Sequence, residues 1–467
     1  MAAMEHGGHE TYRVIIFDRH GTRALLVPDH GRFALPFVQI ERWQRVAENI
    51  AAALREDWGV DVICLFELED VPCPIVETNR YCVSEFRDSF PGHKQPAQWS
   101  LLSDPSPHSF ADFNDFEAIR RSIARCLAPA NESSASPFAR LGWFDDLRQW
   151  VSSTIEPLHL YLTDEFRQLN ASASFSLIRF ETDGPALWFK AVGEPNQREF
   201  SITCTLSQLF PEYLPRLLAV RPNCNGWLAT EAPGQSLSET QEGEVWQSAT
   251  RALADLQIQS IHSTREILSA GALDLSIATL SEAVQPFLKT MARLMAKQTR
   301  VPPPVLNWDE LLNLGEDIQA ALHRMKTLEV PEALGHLDLN PGNLVASPDR
   351  CVFLDWAEAY VGLPFMTFEY LREHLRRTIG KESSVEEKLA NLYCQQWEQV
   401  LSPAVIREVF TLSPLLAVFG YAAGNDTWKK ANRLEDPHTA GYFRSLTRRM
   451  HREANARVDR SFVCAGR

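Results

Sequence analysis

Gly335-His336-Leu337-Asp338-Leu339-Asn340-Pro341-Gly342-Asn343-Leu344-Val345, followed by Cys351-Val352-Phe353-Leu354-Asp355-Trp356, is the stretch around which the chain is organised. It sets a polar turn between two short apolar runs, with Asp338 and Asn343 five positions apart and Asp355 at the exit of the second run. Pro341 and Gly342 disfavour helix between Asp338 and Asn343, so the segment reads as a shaped loop, and Cys351 to Leu354 as a buried strand that delivers Asp355. Three oxygen-bearing side chains can therefore converge. Asp and Asn oxygens are hard donors suited to Mg²⁺, which keeps waters and phosphate oxygens in its remaining positions. That is the donor set phosphoryl transfer needs. A plainer reading is a capped turn whose Asp and Asn bond only to nearby backbone.

The spacing His336-x-Asp338-x-x-x-x-Asn343, with Asp355 downstream, is the catalytic-loop pattern of the protein-kinase-like fold. Together with Leu354-Asp355-Trp356 and Gly362-Leu363-Pro364 it resembles the aminoglycoside phosphotransferase and choline kinase family. The resemblance implies that Asp338 is the base or orienter of an acceptor hydroxyl, that Asn343 and Asp355 are magnesium ligands, and that His336 is a structural support. The completeness of the set favours this reading over the capped turn.

At 467 residues the chain is long enough for two or three domains. Hydrophobic residues make up 45% and charged residues 23%, ordinary for globular protein, which argues against disorder and fibrous architecture. The formal net charge of −14 disfavours a nucleic-acid backbone as partner and mildly favours a cationic small molecule. The 9 cysteines are scattered without a Cys-x-x-Cys pair, which fits a reduced, cytoplasmic location. Met1 to Glu10 lacks the basic and then apolar pattern of a signal, and no unbroken apolar stretch reaches the roughly 18 residues of a membrane span, so no membrane association is expected.

Tyr12 to Asp18 and Arg23 to Val27 read as a hairpin, Glu41 to Trp58 as a helix stopped by Gly59, and Val60 to Glu67 as a strand. This order resembles a Nudix domain. Leu54, Glu56, Asp57, Gly59 and Val60 fit the end of its signature, but Val38 stands for the leading Gly, Gln44 for the first Glu, and Ala52-Ala53 for the Arg-Glu pair. With only Glu56 and Asp57 left, the carboxylates are too few for a cation bridging a diphosphate. The module is expected to be non-catalytic, and a protein partner could dock on it. Tyr81 to Phe86 reads as a further strand and Asp112 to Leu127 as a closing helix. The Pro-, Ser- and Ala-rich run around 131–139 reads as an exposed linker.

Beyond it, Phe175 to Glu181 and Ala186 to Val192 form a hairpin around Thr182-Asp183-Gly184-Pro185. Lys190 lies among bulky apolar residues, where a charge needs a partner. The resemblance makes Lys190 the lysine that grips the phosphates and Glu199, opening a helix from Arg198 to Leu209, its partner. The preceding loop, with Ser172 and Ala173, holds no glycine; its small residues could still bring backbone N–H groups to phosphate. Glu231-Ala232 resembles the hinge that contacts adenine through its backbone. The helices Glu242 to His262, Leu280 to Lys297 and Trp308 to Met325 follow, with Pro286 marking a kink or a start in the second. After the catalytic loop come helices at Phe365 to Arg377, Val385 to Val400, Ala404 to Tyr421 and Thr439 to Asn455, and an exposed tail from Ala456. The family carries an acidic residue shortly after Gly-x-Pro to support the metal loop. Here Phe365-Met366-Thr367 stand there, which points to Glu369 for that support, while Glu358 could face the acceptor.

The expected fold class is α+β: a Nudix-like α/β/α module at 1–130, a linker at 131–139, and a bilobal protein-kinase-like domain with a β-rich lobe at 140–234 and a helical lobe at 235–467. The expected activity is transfer of the γ-phosphate of ATP, with Mg²⁺, to a hydroxyl of a small molecule. Two alternatives are a weak pseudokinase or nucleotide-binding scaffold, favoured by the glycine-free loop, and a bifunctional protein that retains Nudix hydrolase activity.

Overall fold

The computed structural model describes residues 8–41, 45–68, 80–89, 97–103, 106–127, 137–172, 174–378 and 384–464. The chain divides into two compact units, residues 1–200 with 216–231, and 201–215 with 232–467.

The first unit begins with β1 (His9–Phe17), β2 (Arg23–Asp29), β3 (Arg32–Ala34), β4 (Phe37–Glu41), α1 (Val46–Ala53), β5 (Val60–Leu68), β6 (Arg80–Ser89), β7 (Gln98–Leu101) and α2 (Phe113–Leu127). The seven strands form one sheet in the order β3-β2-β1-β6-β5, with β4 added to β1 and β7 to β2. β1 and β6 run parallel, in register from Tyr12 opposite Arg80 to Phe17 opposite Glu85. Val14 to Phe17 is an unbroken apolar run because β1 is covered on both faces. Tyr12, Val14 and Ile16 join a core with Val38, Ile50 and Leu54, while Ile15 and Phe17 join a second core on the other side. The helical pattern expected from Glu41 to Trp58 is α1 followed by a π-helical turn at Leu54–Trp58. Gly59 ends it at φ 63°, a left-handed conformation glycine adopts at no steric cost. Gln44 lies outside the described residues, as do residues 128–136, where the sequence suggests a linker.

The same unit continues with α3 (Trp143–Ile155), β8 (Leu162–Ala171), β9 (Phe175–Thr182), β10 (Leu187–Val192), α4 (Arg198–Leu209), β11 (Leu217–Arg221) and β12 (Gly226–Thr230). These strands make an antiparallel sheet ordered β11-β12-β10-β9-β8. The expected hairpin is present, from Phe175 opposite Val192 to Phe180 opposite Leu187. One apolar core joins the two sheets: Ile15 and Phe17 share it with Phe144, Leu147 and Val151 of α3 and with Ile178, Phe180, Phe189 and Leu228. Phe144 lies parallel to Phe180 at 6.1 Å and meets Phe166 at 4.5 Å between centroids. The cuts at 131–139 and 234 expected from sequence therefore differ from the observed grouping. The β-rich lobe shares its core with the N-terminal module, and Ile202, Leu206, Phe210 and Tyr213 belong to the core of the second unit.

In the second unit β13 (Gln235–Ser236) leads to α5 (Gly243–Ser260), α6 (Thr264–Ser269), β14 (Leu273–Leu275), α7 (Ile277–Ala296) and α8 (Trp308–Thr327). Helix α7 starts at Ile277 and runs through Pro286. Helix α8 opens on a capping box, in which Asn307 accepts from the Glu310 N–H and Glu310 accepts from the Asn307 N–H. Next come β15 (Ala333–His336), β16 (Leu344–Ala346), β17 (Cys351–Phe353), β18 (Ala359–Gly362), α9 (Phe365–Thr378), α10 (Ser384–Trp397), α11 (Pro403–Gly424) and α12 (Pro437–Cys464). Helix α12 runs past Asn455, the helix end expected from sequence, as far as Cys464. Helix α11 is long and apolar enough to cross a membrane by length and composition, a feature that counting unbroken apolar residues passes over. Here it is a core helix, with Leu412, Leu415, Leu416 and Phe419 buried among Phe287, Met366 and Trp428.

Phe144→Ala should lower the unfolding free energy by about 3–5 kcal/mol, since it empties a fully buried ring site between two sheets. Urea unfolding followed by tryptophan fluorescence checks this; a loss below about 1 kcal/mol would mean that the two sheets do not share a core.

Candidate active site

In the first unit, Lys190 projects from β10 between the fully buried Phe189 and Ala191, in a cross-strand row with Leu177 and Trp227. Its ammonium lies 5.9 Å from the ring centroids of both Phe175 and Trp227 and donates to Glu199 Oε1 at 2.6 Å. Glu199, in the first turn of α4, is 1% exposed. An ion pair this dry is not a large source of net stability, but removing either partner strands a buried charge at a cost of about 3–5 kcal/mol. The pair expected from chain order is thus formed.

Ser172 stands where β8 turns into β9. Its hydroxyl accepts the N–H groups of Ser174 and Phe175 at 3.1 and 3.2 Å, and its own N–H donates to Phe175 O at 2.9 Å. Two N–H groups that a glycine-rich loop would turn toward phosphate are bonded to a side chain of the loop itself. Ala173 lies outside the described residues. Glu231 donates its N–H to Ala186 O at 3.0 Å, so that donor is committed. Its carboxylate accepts from Arg179 and from the Trp188 indole, and the Arg179 guanidinium holds it below the usual carboxylate range. Ala232, half-buried, belongs to the second unit. Two residues on, Gly234 sits at φ 124° with no room for a Cβ, which would lie 2.6 Å from Ala346 O.

The second unit carries the loop from Gly335 to Asp355. β15 pairs with β18 from Ala333 opposite Gly362 to His336 opposite Ala359. A Cβ on Gly335 would lie 2.0 Å from the Tyr360 ring, so only glycine lets the two strands close. His336, 1% exposed, is fixed on three sides. Its N–H donates to Thr367 Oγ1 at 3.0 Å, its Nδ1 accepts the Asp338 N–H at 3.1 Å, and its Nε2 lies 3.1 Å from Leu354 O. These partners require a neutral ring protonated on Nε2, and burial lowers its pKa in agreement. One imidazole therefore ties the residue after which the loop starts to the strand that ends at Asp355.

Two amides surround Asp338. Asn340 Nδ2 lies 3.2 Å from Asp338 Oδ1, while Asn343 Nδ2 donates to the Asp338 carbonyl at 2.9 Å and lies 3.4 Å from Oδ2. Tyr370 OH lies 3.5 Å from Oδ1. Asn340 also accepts the Gly342 N–H at 2.9 Å and so caps the short 3₁₀ turn Pro341–Asn343. β16 and β17 form a hairpin at whose mouth the Leu354 N–H donates to Asn343 O at 2.8 Å, which brings Asn343 beside the exit to Asp355. Asp355 is exposed and left-handed, φ 61° and ψ 60°, a conformation that costs a non-glycine residue about 1–2 kcal/mol.

Among the described residues no three His, Cys, Asp or Glu side chains gather as a metal cluster. Asn343 and Asp355 fit Mg²⁺ by their donor chemistry: with Nδ2 of Asn343 committed to Asp338, its remaining donor is the hard amide oxygen, and Asp355 adds one exposed carboxylate.

The support expected from Glu369 comes from Thr367. Glu369 is buried but pairs with Arg372, and burial raises its pKa despite that neighbour. Thr367 Oγ1 instead accepts the His336 N–H and meets Tyr360 OH at 2.9 Å. Glu358 is exposed, and its charge helps to hold the Tyr370, Tyr421 and Tyr442 phenols protonated, after burial as the leading cause. Sequence reasoning missed Thr367, Asn340 and Tyr370. Asn340 was within reach, because an Asn two residues after an Asp often bonds back to it.

Residues 213–400 match the phosphotransferase enzyme family. The match contains Asp338, Asn343 and Asp355 and supports phosphotransferase activity for this part of the chain. Among solved structures, the chain is similar to a macrolide 2'-phosphotransferase from Brachybacterium faecium at 16% identity, over 62% of this chain and 98% of that one, with a TM-score of 0.38. It is also similar to choline kinases from Cryptosporidium parvum Iowa II (12%, 68% and 97%, TM-score 0.45) and Streptococcus pneumoniae (13%, 67% and 99%, TM-score 0.42). No curated protein matches the sequence.

Two measurements probe the loop. Thr367→Val keeps the side-chain volume but leaves the buried His336 N–H without its acceptor, and should cost about 1–3 kcal/mol in urea unfolding. Because the folded ring resists protonation, its contribution to stability is complete above the ordinary histidine pKa of about 6.5 and fades as the pH falls below it. The stability gap between the wild type and His336→Gln should therefore narrow on acidification; a gap that holds constant would contradict a neutral His336.

Proposed function

We propose that the chain is an ATP-dependent kinase of a small hydroxyl-bearing molecule. The observation that carries this reading is the loop in which a buried neutral His336 and the amides of Asn340 and Asn343 fix Asp338, on a stretch that matches the phosphotransferase enzyme family. In the proposed reaction, the acceptor oxygen forms a bond to the γ-phosphorus while the bond from that phosphorus to the β-bridging oxygen breaks. The hydroxyl proton goes to the Asp338 carboxylate and ADP leaves. Asn343 and Asp355 are the proposed holders of Mg²⁺, which when bound neutralises phosphate charge. Lys190, held by Glu199, orients the phosphates, and Asp338 aligns the acceptor, so positioning and charge stabilisation supply most of the rate. A reduced, cytoplasmic setting suits the free thiols at Cys64, Cys82, Cys126, Cys204, Cys224, Cys351 and Cys394.

The N-terminal module is proposed to be Nudix-like in descent and without hydrolase activity. Glu48 of α1 pairs with Arg167, and Glu56 and Asp57 lie exposed on the π-helical turn. A second reading, a nucleotide-binding scaffold, is favoured by the Ser172 hydroxyl that takes up the N–H groups of Ser174 and Phe175.

ADP release is the deciding assay. The protein is incubated with ATP and Mg²⁺ against a panel of amino alcohols, sugars and aminoglycosides, beside Asp338→Asn, Asp355→Ala and Glu56→Gln. Acceptor-dependent ADP should fall by about 10²–10⁴ in the first two variants and persist in the third. Nucleotide-dependent thermal stabilisation without ADP from any acceptor would favour the scaffold.

A further inference from the structure

We infer that Gln168 is a positioning residue for Lys190, through which the N-terminal seven-stranded sheet sets the phosphate-gripping strands. This rests on the kinase reading above.

β8 is an edge strand, and its register on β9 breaks twice, between Leu162 and Phe166 and between Gln168 and Asn170. An irregular edge strand specifies its own register weakly. What fixes it comes from the N-terminal sheet. Gln168 is 5% exposed, and its side-chain amide forms a closed pair of hydrogen bonds with one peptide position of β5: the Cys64 N–H donates to Oε1 at 2.8 Å, and Nε2 donates to Cys64 O at 2.8 Å. It does so where the pairing of β5 with β6 itself shifts, between Cys64 and Phe66. A primary amide both donates and accepts, so it can serve a peptide group as a neighbouring strand would. Two further contacts lie on the same strand. Arg167 donates to Glu48 of α1, and Ala171, 7% exposed, packs in the core that holds Tyr12, Val38 and Ile50.

The grip lies next to the row that carries the lysine. Asn170 is opposite Leu177 on β9, Leu177 is opposite Lys190 on β10, and Lys190 is opposite Trp227 on β12. A shift of β8 is thus passed across one strand to Lys190 and its ion pair with Glu199. Displacements of an ångström at a group that aligns phosphate are costly to binding and rate. A buried glutamine has no reason in the strand itself; its reason is the peptide of Cys64.

The test uses the full chain, with Gln168→Met and Gln168→Glu. Binding of ATP with Mg²⁺ is measured by calorimetry, KM for ATP and kcat by ADP release, and amide hydrogen exchange over 175–192 by mass spectrometry. Gln168→Met keeps the volume and loses both bonds; it should bind ATP about tenfold more weakly, raise KM more than it lowers kcat, and exchange faster over 175–192. Gln168→Glu should behave likewise at about pH 8 and approach the wild type, measured at the same pH, at about pH 5.5. There a buried carboxyl takes up a proton and, like the amide, donates to Cys64 O while accepting from the Cys64 N–H. ATP affinity within about twofold of wild type in both variants overturns the inference, even where exchange is faster, because Gln168 would then serve the fold alone. If Gln168→Met does not fold, recovery of Gln168→Glu on acidification supports the inference, and its absence overturns it. If the wild type binds no ATP, the kinase reading fails by itself, and unchanged exchange over 175–192 in the variants would separately refute the hold of Gln168 on β9 and β10.

Discussion

The loop from Gly335 to Asp355 depends on one buried imidazole that must stay neutral. His336 offers an acceptor to the Asp338 N–H and a donor to the Leu354 carbonyl, and no charged or apolar side chain of that size can do both. The two bonds join the start of the loop to the end of β17, so Asp338 and Asp355 take their positions from the same ring. Its surroundings follow from that need. Gly335 lets Tyr360 close over the strand, Thr367 accepts the His336 N–H, and Tyr360 OH completes the hydroxyl pair. Were the ring exposed, protonation would cost little and the tie to Asp338 would open in mild acid; burial makes the neutral form the stable one.

Buried charge is held in two ways, as a local pair and as a shared network. In the first, Lys190 and Glu199 form one dry pair against the aromatic faces of Phe175 and Trp227, where each partner is obligatory for the other. In the second, Glu369, Arg372, Arg376 and Glu386 form a shared network on α9 and α10, beside the stacked rings of Phe368 and Tyr393 at 3.9 Å. A network spreads the loss of any member over several contacts. A local pair concentrates that loss in fewer contacts.

What could be read from the sequence was what local pattern decides. Alternation located the hairpin and put Lys190 on its second strand, helical spacing located α5, α8 and α9, and the distances among His336, Asp338, Asn343 and Asp355 located the loop. Residues whose partners come from far along the chain stayed hidden. Gln168 answers a peptide group 104 positions away, and Thr367 answers one 31 positions away. Neither partner is a side chain, so no pairing of residue types points to it. The grouping of the chain was hidden for a related reason. The linker-like composition near residue 131 says nothing about Phe144 and Phe180, whose packing merges the N-terminal sheet and the β-rich lobe into one unit.

The absence of glycine before β9 takes on a physical sense in this setting. A glycine-rich loop is useful because it is pliant: its N–H groups can turn to phosphate, at an entropic cost each time the loop is ordered. Here the described residues of the turn are held by its own bonds. Ser172 bonds the N–H groups of Ser174 and Phe175, and Ala171 and Gln168 fasten the strand that feeds the turn to the N-terminal sheet. Such a loop commits backbone donors to its own hydroxyl, and in the proposed kinase reading the task of meeting the phosphates falls to Lys190. That reading agrees with the surroundings of that side chain, which has a buried carboxylate, two aromatic faces and, one strand beyond its hairpin partner, a strand pinned from outside the sheet. A lysine is a point charge on a flexible stem, and it aligns a triphosphate only if its base does not move.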